Sequence, residues 1–221
     1  MPDRFRLTLA QLNATVGDIA GNIARARAAW EQGRDAGAQM VMLPEMFVTG
    51  YQTQDLVVKP AFHQAAMAAV RALAEGLADG PVLGIGTPWA ENGKLYNAYA
   101  LLRAGRVVHV QLKHNLPNND VFDEVRYFAS GHVRGPVDMA GLRVGLPICE
   151  DGWFPDVAET LAESGAEALF IANGSPYRRN KLDLRMNHMV ARVTETRLPL
   201  VYLNMVGGQD DQVFDGGSFV L

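Results

Sequence analysis

The feature that most constrains the fold of this chain is a short apolar run, Val144 to Ile148, which ends in the only cysteine of the sequence, Cys149. A run of this length and composition is typical of a buried β-strand. A helical pattern then begins at Pro155 and stops at Gly165, and a second apolar run covers residues 168–172. A strand, a helix and a strand in this order predict an α/β fold.

Cys149 allows two interpretations at this point. A lone cysteine is most often a small hydrophobic residue of the core, and this one has no disulfide partner or second thiolate within the chain. However, functional residues of α/β folds gather beyond the carboxyl ends of strands, and Glu150 and a predicted turn at Asp151-Gly152 follow directly. Such a turn lifts a side chain out of the sheet and leaves backbone N–H groups free to bind an oxyanion. A nearby base would favour a catalytic cysteine.

Length and charge narrow the class of protein. With 221 residues the chain is long enough for one well-buried domain, and no segment resembles a linker. The net charge of -4 and the absence of Lys/Arg runs argue against nucleic acid as a partner. No apolar stretch approaches the length of a membrane span, and residues 5–12 alternate like a strand instead of forming a signal-peptide core. We therefore expect a cytoplasmic protein without a membrane partner.

The rest of the chain alternates between the periodicities of helices and strands. Helical spacing predicts helices from residue 19 to the glycines at 33 and 37, over 61–78, and over 181–197. Apolar runs or alternation predict strands over 5–12, 39–43, 82–85, 96–102, 106–112, 198–203 and 218–221. Turn residues predict hairpins at 91–94 and 104–105, and a last hairpin between the glycine pairs 207–208 and 216–217. The loop 114–135 is long for a compact domain and is therefore a candidate functional segment.

Two ionisable residues, Glu45 and Lys113, also follow predicted strands closely. Charged residues just past a strand are usually solvated. Together with Cys149, however, they form a chemically consistent set. The carboxylate can take the proton of the thiol, the lysine can neutralise the thiolate and hold an oxyanion, and the thiolate can attack a carbonyl or nitrile carbon. A single sheet could present all three side chains at one edge.

A Glu-Lys-Cys triad on strand ends resembles the signature of the nitrilase, or carbon-nitrogen hydrolase, superfamily. Two longer strings are similar to the glutaminase domain of glutamine-dependent NAD+ synthetases: 113–118 with 121–128, and 207–210 with 213–218. The resemblance runs from about residue 5 to the last residue and implies an αββα four-layer sandwich. It identifies residues 1–221 as one carbon-nitrogen hydrolase (glutaminase) domain, which we expect to be truncated at its C-terminus and to lack the synthetase domain.

The resemblance also implies a role for individual residues of this sequence. Glu45 is the general base, Cys149 is the nucleophile, and Lys113 stabilises the tetrahedral intermediate. Glu124 is an additional glutamate that holds Lys113 and the leaving amine. The implied substrate-binding residues are Asn119, Phe122, Glu150, Ser175 and Lys181. Family members commonly carry tyrosine at the position of Asn119.

The implied reaction is the hydrolysis of L-glutamine to L-glutamate and ammonia through a cysteine thioester, without a metal or another cofactor. In the family the ammonia passes to an ATP-dependent synthetase domain, which amidates deamido-NAD+ with ATP and Mg. L-Glutamine and that domain are therefore the implied partners, together with further copies of the chain in a homo-oligomer. Two alternatives stay open: another nitrilase-type amidase or carbamoylase, and a catalytically inert interaction domain left by truncation.

Overall fold

Two five-stranded sheets organise the chain. The computed structural model describes residues 4–77 and 79–221. In chain order the strands are β1 (Leu7–Leu9), β2 (Met40–Met42), β3 (Val82–Glu91), β4 (Lys94–Arg103), β5 (Arg106–Leu112), β6 (Val137–Met139), β7 (Leu142–Gly145), β8 (Ala168–Asn173), β9 (Leu200–Asn204), β10 (Val206–Gln209), β11 (Gln212–Asp215) and β12 (Phe219–Val220). The helices are α1 (Ile19–Asp35), α2 (Pro60–Glu75), α3 (Glu124–Tyr127), α4 (Pro155–Glu163) and α5 (Lys181–Thr196). The first sheet has the order β1-β2-β3-β4-β5, the second has the order β12-β9-β8-β7-β6, and β10 and β11 form a separate hairpin.

Three apolar cores separate four layers. The central core joins the two sheets, since Met42 and Tyr99 of the first sheet share it with Leu203 of the second. One outer core lies between the first sheet and helices α1 and α2, and it contains Trp30. The other lies between the second sheet and helices α4 and α5, and it contains Leu161. The αββα sandwich that the resemblance implies is therefore confirmed.

Local sequence signals set the ends of several elements. Asp18 caps α1 by accepting the N–H of Gly21 at 2.9 Å, and Pro60 is the first residue of α2, where its missing N–H costs nothing. The predicted hairpin between β3 and β4 is confirmed, with Asn92 and Gly93 at φ values of 52° and 74°. Among the described residues, no helix combines the length and the apolar character that a membrane span requires.

Strand β3 extends well beyond the predicted segment 82–85. It continues through Gly86, a residue type that often interrupts strands but that here allows a close approach of another segment. A Cβ on Gly86 would lie 2.2 Å from the backbone nitrogen of Met46. The N–H of Gly86 also donates to the carbonyl oxygen of Pro44 at 3.2 Å. The glycine therefore lets the segment that carries Glu45 pack directly on the strand.

The expectation that one sheet presents all three candidate catalytic residues was wrong. Glu45 and Lys113 follow β2 and β5 of the first sheet, whereas Cys149 follows β7 of the second. Strand β5 runs in the same direction as β2, because β2 is parallel to β3 and the chain reverses at both β4 and β5. The carboxyl ends of β2 and β5 therefore share one edge, and the facing sheet supplies the thiol there.

The apolar run before Cys149 does not form the continuous strand, Val144 to Ile148, that the sequence predicts. Strand β7 ends at Gly145, and Ile148 then makes an isolated parallel bridge with Ala172. Pro147 lies between them and has no N–H to donate to a neighbouring strand, which explains the interruption. The backbone is extended again at Ile148 and turns sharply at the cysteine.

Candidate active site

A buried group of three ionisable side chains lies at the edge where β2 and β5 end. The ammonium nitrogen of Lys113 is 2.7 Å from Oε1 of Glu45 and 2.8 Å from Oε2 of Glu124. The three residues are at most 3% exposed. Because a buried charge is costly unless it is paired, this arrangement holds a lysine in its charged form between two carboxylates. We call Glu45, Lys113 and Glu124 the charged cluster.

Three further groups donate hydrogen bonds to the charged cluster, and the sequence patterns did not single them out. The amide nitrogen of Asn97 donates to Glu45 at 2.7 Å and to Glu124 at 3.0 Å. The Tyr51 hydroxyl donates to Glu124 at 2.7 Å, and the N–H of Gly174 donates to Glu45 at 2.8 Å. A polar Asn97 within the apolar strand β4 was the one signal in the sequence that could have found this network.

Cys149 begins a short 3₁₀ segment that ends at Gly152. Its φ value of 46° lies in the left-handed region, which non-glycine residues adopt only when their surroundings hold them there. The residue is 3% exposed. The sharp turn that the sequence predicts after the strand is therefore present, and it begins at the cysteine itself.

Burial and the neighbouring carboxylates favour the protonated form of the Cys149 thiol. Burial raises the pKa of the thiol well above its usual range, the carboxylate of Glu45 raises it further, and the ammonium of Lys113 opposes both. Burial alone would lower the pKa of Lys113, but the carboxylates of Glu124 and Glu45 outweigh this effect and hold it well above its ordinary value. The resting site thus contains a neutral thiol next to a permanent cation and a carboxylate that can act as a base.

Glu150 and Lys181, two of the predicted substrate-binding residues, flank the thiol with opposite charges. Burial lowers the pKa of Lys181, and the thiolate form of Cys149 and the Glu150 carboxylate oppose that shift. Burial also raises the pKa of Glu150. The Lys181 ammonium lies 4.8 Å from the ring centroid of Trp153, and this cation–π contact holds the cation in place. One anion and one cation beside a nucleophile match a zwitterionic ligand.

Phe122 and Asn119 lie on the same loop but have different surroundings. Phe122 is buried, and its ring stacks on Tyr51 with centroids 6.2 Å apart, so it forms a wall next to the charged cluster. Asn119 is exposed, and its carbonyl oxygen accepts the N–H of Phe122 at 2.9 Å. The backbone of the loop therefore joins Asn119 to Phe122.

Ser175 is buried after β8 and is held by Arg185 of α5, which the sequence patterns did not single out. The guanidinium donates to the Ser175 hydroxyl oxygen at 3.0 Å and to the Ser175 carbonyl oxygen at 2.7 Å. It also donates to Asp215 at 2.8 Å, which ties the loop to strand β11. An arginine within an amphipathic helix looks solvated in sequence, and only the packing of α5 on this loop shows that it is buried.

The αββα sandwich and the buried Glu–Lys–Cys arrangement define a nitrilase-type α/β protein. A comparison with protein families agrees, because the carbon-nitrogen hydrolase family matches residues 6–221. The chain belongs to the carbon-nitrogen hydrolase family.

Similar proteins with curated names belong to one branch of this family. The chain is 61% identical over 221 residues to the glutamine-dependent NAD(+) synthetase of Rhodobacter capsulatus, and the match covers 100% of this chain and 40% of that protein. It is 35% identical to the enzyme of the same name from Acinetobacter baylyi, with 98% and 40% covered. The chain thus spans about two fifths of the length of these relatives.

Solved structures give the same picture. The glutamine-dependent NAD+ synthetase of Acinetobacter baumannii superposes with a TM-score of 0.93 at 34% identity, covering 98% of this chain and 41% of that one. An amidase from Nesterenkonia superposes with a TM-score of 0.82 at 24% identity, covering 99% and 85%. The second likeness shows the fold alone.

Among the described residues, no group of three or more His, Cys, Asp or Glu side chains has a geometry that could hold a metal ion. The five histidines, at 63, 109, 114, 132 and 188, are dispersed along the chain.

Proposed function

We propose that this chain hydrolyses the side-chain amide of L-glutamine to L-glutamate and ammonia, with Cys149 as nucleophile. The observation that carries the proposal is the charged cluster beside a buried thiol at a strained turn. Such a site pairs a weak nucleophile with a base and an oxyanion donor, which are the parts that amide hydrolysis needs. The relatives named glutamine-dependent NAD(+) synthetase support the same assignment.

In the first half-reaction Glu45 takes the thiol proton while the sulfur of Cys149 attacks the amide carbon. Since burial holds the thiol protonated, deprotonation and attack are coupled and no free thiolate has to accumulate. Lys113 donates a charged hydrogen bond to the tetrahedral oxyanion. Glu45 then returns the proton to the nitrogen, the carbon–nitrogen bond breaks, and ammonia leaves a γ-glutamyl thioester.

In the second half-reaction Glu45 takes a proton from water, which attacks the thioester carbon. The carbon–sulfur bond breaks, and the sulfur regains its proton, so glutamine and water have become glutamate and ammonia. Glu124 acts by holding Lys113, because its Oε2 lies 2.8 Å from the ammonium. The side-chain amide of Asn97 donates to both carboxylates and thereby fixes their positions relative to each other.

The charges at the mouth of the site favour a free amino acid over a simple amide. Lys181 is the proposed partner of the substrate's α-carboxylate, and Glu150 is the proposed partner of its α-ammonium group. Ser175 adds a hydroxyl that Arg185 orients. Phe122 packs along the methylene chain of the substrate, and Asn119 stands at the loop position where we expect a further contact.

We further propose that the released ammonia serves the ATP-dependent amidation of deamido-NAD+ in a synthetase domain, with ATP, Mg and deamido-NAD+ bound there and not in this domain. The name shared by the relatives supports this assignment. A cytoplasmic location and a homo-oligomer belong to the same proposal. The oligomer is tested by a mass measurement in solution.

The experiment that tests the glutaminase assignment measures ammonia release from L-glutamine by the purified protein and its Cys149→Ala variant. We expect Cys149→Ala to abolish the reaction while the circular dichroism spectrum is unchanged, since the alanine removes only one sulfur. Residual turnover in that variant would refute the nucleophile assignment. Aliphatic amides and N-carbamoyl amino acids are the comparison substrates. We expect L-glutamine to exceed them in kcat/KM by about 100-fold, since a partly buried anion and cation are left unpaired by a substrate that lacks the complementary charges. Equal rates would instead identify a general amidase or carbamoylase.

A further inference from the structure

Asp151, two residues after the nucleophile, has no role in the mechanism above, yet it is fully buried. Its carboxylate accepts three backbone N–H groups. Oδ1 accepts from His114 at 3.0 Å and from Asn115 at 2.7 Å, and Oδ2 accepts from Ile148 at 3.0 Å. The two oxygens therefore face two different segments of the chain.

These two segments belong to different sheets. His114 and Asn115 directly follow Lys113, at the end of β5 in the first sheet, and Ile148 directly precedes Cys149 in the second. The main chain of Lys113 is itself fixed in the first sheet, because its N–H donates to the carbonyl oxygen of Asn97 at 2.9 Å. A single carboxylate thus spans the gap between the lysine and the nucleophile.

Asp151 also closes the turn that holds Cys149. Its own N–H donates to the carbonyl oxygen of Ile148 at 3.0 Å, while Oδ2 accepts the N–H of the same residue. These two bonds enclose the cysteine, whose φ value of 46° needs a firm support. We propose that Asp151 is a positioning residue, whose carboxylate fixes the Cys149 thiol relative to the Lys113 ammonium across the two sheets.

The ionised form of Asp151 is the form that fits this geometry. All three neighbours are N–H donors, so a protonated carboxyl group would turn its own hydrogen toward a donor. Burial raises the pKa of Asp151 to about 7, although the hydrogen bonds from Asn115, Ile148 and His114 and the charge of Lys113 lower it in part. The donors thus offset part of the desolvation of the carboxylate.

The test rests on the proposed glutaminase reaction and compares Asp151→Asn with Asp156→Asn. The first substitution keeps the size of the side chain but replaces one acceptor oxygen with an NH₂ group that faces backbone N–H donors. The second is a matched control, because Asp156 is exposed and contacts the same loop only through side chains, with its Oδ1 3.1 Å from the Asn115 amide nitrogen. Active sites are counted by covalent labelling of Cys149 with a diazo-ketone analogue of glutamine, so that all rates refer to assembled sites.

For Asp151→Asn we expect kcat per labelled site to fall by about 100-fold, as for the loss of one well-placed transition-state contact, with KM changed less than about 3-fold. Asp156→Asn should keep both constants within about 2-fold of the unchanged protein. A purely structural role predicts fewer labelled sites with an unchanged kcat per site, and that result would overturn the proposal. If Asp151→Asn yields no folded protein, the same rate measurement is made on Asp151→Glu, which keeps both carboxylate oxygens but displaces them by one methylene group. A lowered kcat per site supports positioning, and an unchanged one refutes it.

Alkylation of Cys149 by iodoacetamide separates this proposal from the glutaminase assignment, because it needs no substrate. We expect the alkylation rate of Asp151→Asn to fall at least about 5-fold at neutral pH, since a displaced thiol loses the stabilisation that Lys113 gives to its thiolate. This result can be obtained even if the protein proves inactive toward glutamine. An unchanged alkylation rate contradicts the positioning role.

Discussion

Replacing Lys113 with methionine tests the charged cluster most directly. The substitution keeps an unbranched side chain as far as the ε carbon but removes the ammonium nitrogen, which lies 2.7 Å from Glu45 and 2.8 Å from Glu124. Two buried carboxylates, both bonded to the amide of Asn97, then face each other without a cation. Removing one partner of a buried ion pair typically costs about 3–5 kcal/mol, because the remaining charge is left uncompensated. Here a carboxylate can take up a proton, so we expect a loss of about 3 kcal/mol at pH 7, at the lower end of that range.

The sign of the pH dependence follows from Glu124. Burial already raises the pKa of this carboxyl group, Lys113 opposes the shift, and Glu45 adds to it. Without Lys113 the pKa rises further, so the folded variant binds about one proton more than the unfolded chain above the ordinary carboxyl pKa of about 4.3. Stability due to this proton is fully present below that value and is lost as pH rises through the folded pKa. The unfolding free energy of the variant should therefore fall by up to about 1.4 kcal/mol per pH unit relative to the unchanged protein.

The assay is urea unfolding of both proteins at pH 5 and pH 8, followed by circular dichroism. Lys94→Met is the matched control, because Lys94 is exposed at the hairpin between β3 and β4. It should change the unfolding free energy by less than about 0.5 kcal/mol at either pH. Ammonia release from glutamine by Lys113→Met should drop about 100- to 1,000-fold, as for the loss of an oxyanion donor. A variant within about 1 kcal/mol of the unchanged protein at pH 8 would refute the argument that Lys113 neutralises a buried pair of carboxylates.

Two further substitutions test the supports of the cluster. Gly86→Ala should lower the unfolding free energy by at least about 2 kcal/mol, because the new Cβ would lie 2.2 Å from the backbone of the segment that carries Glu45. Gly135→Ala is the control. It has open space around the new Cβ and should be nearly neutral in the same urea titration. The 2.7 Å hydrogen bond from Tyr51 lowers the pKa of the Glu124 carboxyl group, and Tyr51→Phe removes this bond. We expect kcat to fall by about 3- to 10-fold and the acid limb of its pH profile to move upward. An unmoved limb would argue that Tyr51 does not act on Glu124.

Much of the fold follows from patterns that are local in the chain. The helix and the strand on either side of Gly165, the hairpin turn at Asn92-Gly93 and the strand ends near Glu45 and Lys113 each depend on residues close in sequence, and the structure confirms them. The length of β3 could not be predicted in this way. Gly86 is a strand breaker in isolation and becomes favourable only when the Glu45 segment packs on it.

The sequence by itself determined the α/β class and, through its motifs, the family and the three residues that we propose for catalysis. Only the tertiary structure decided that Cys149 comes from the opposite sheet to Glu45 and Lys113, and that Asn97 bonds to both carboxylates of the cluster. The physical reason is that periodicity records which face of an element avoids water. It contains no information on which distant donor will satisfy a buried charge, because that choice depends on how separate elements pack.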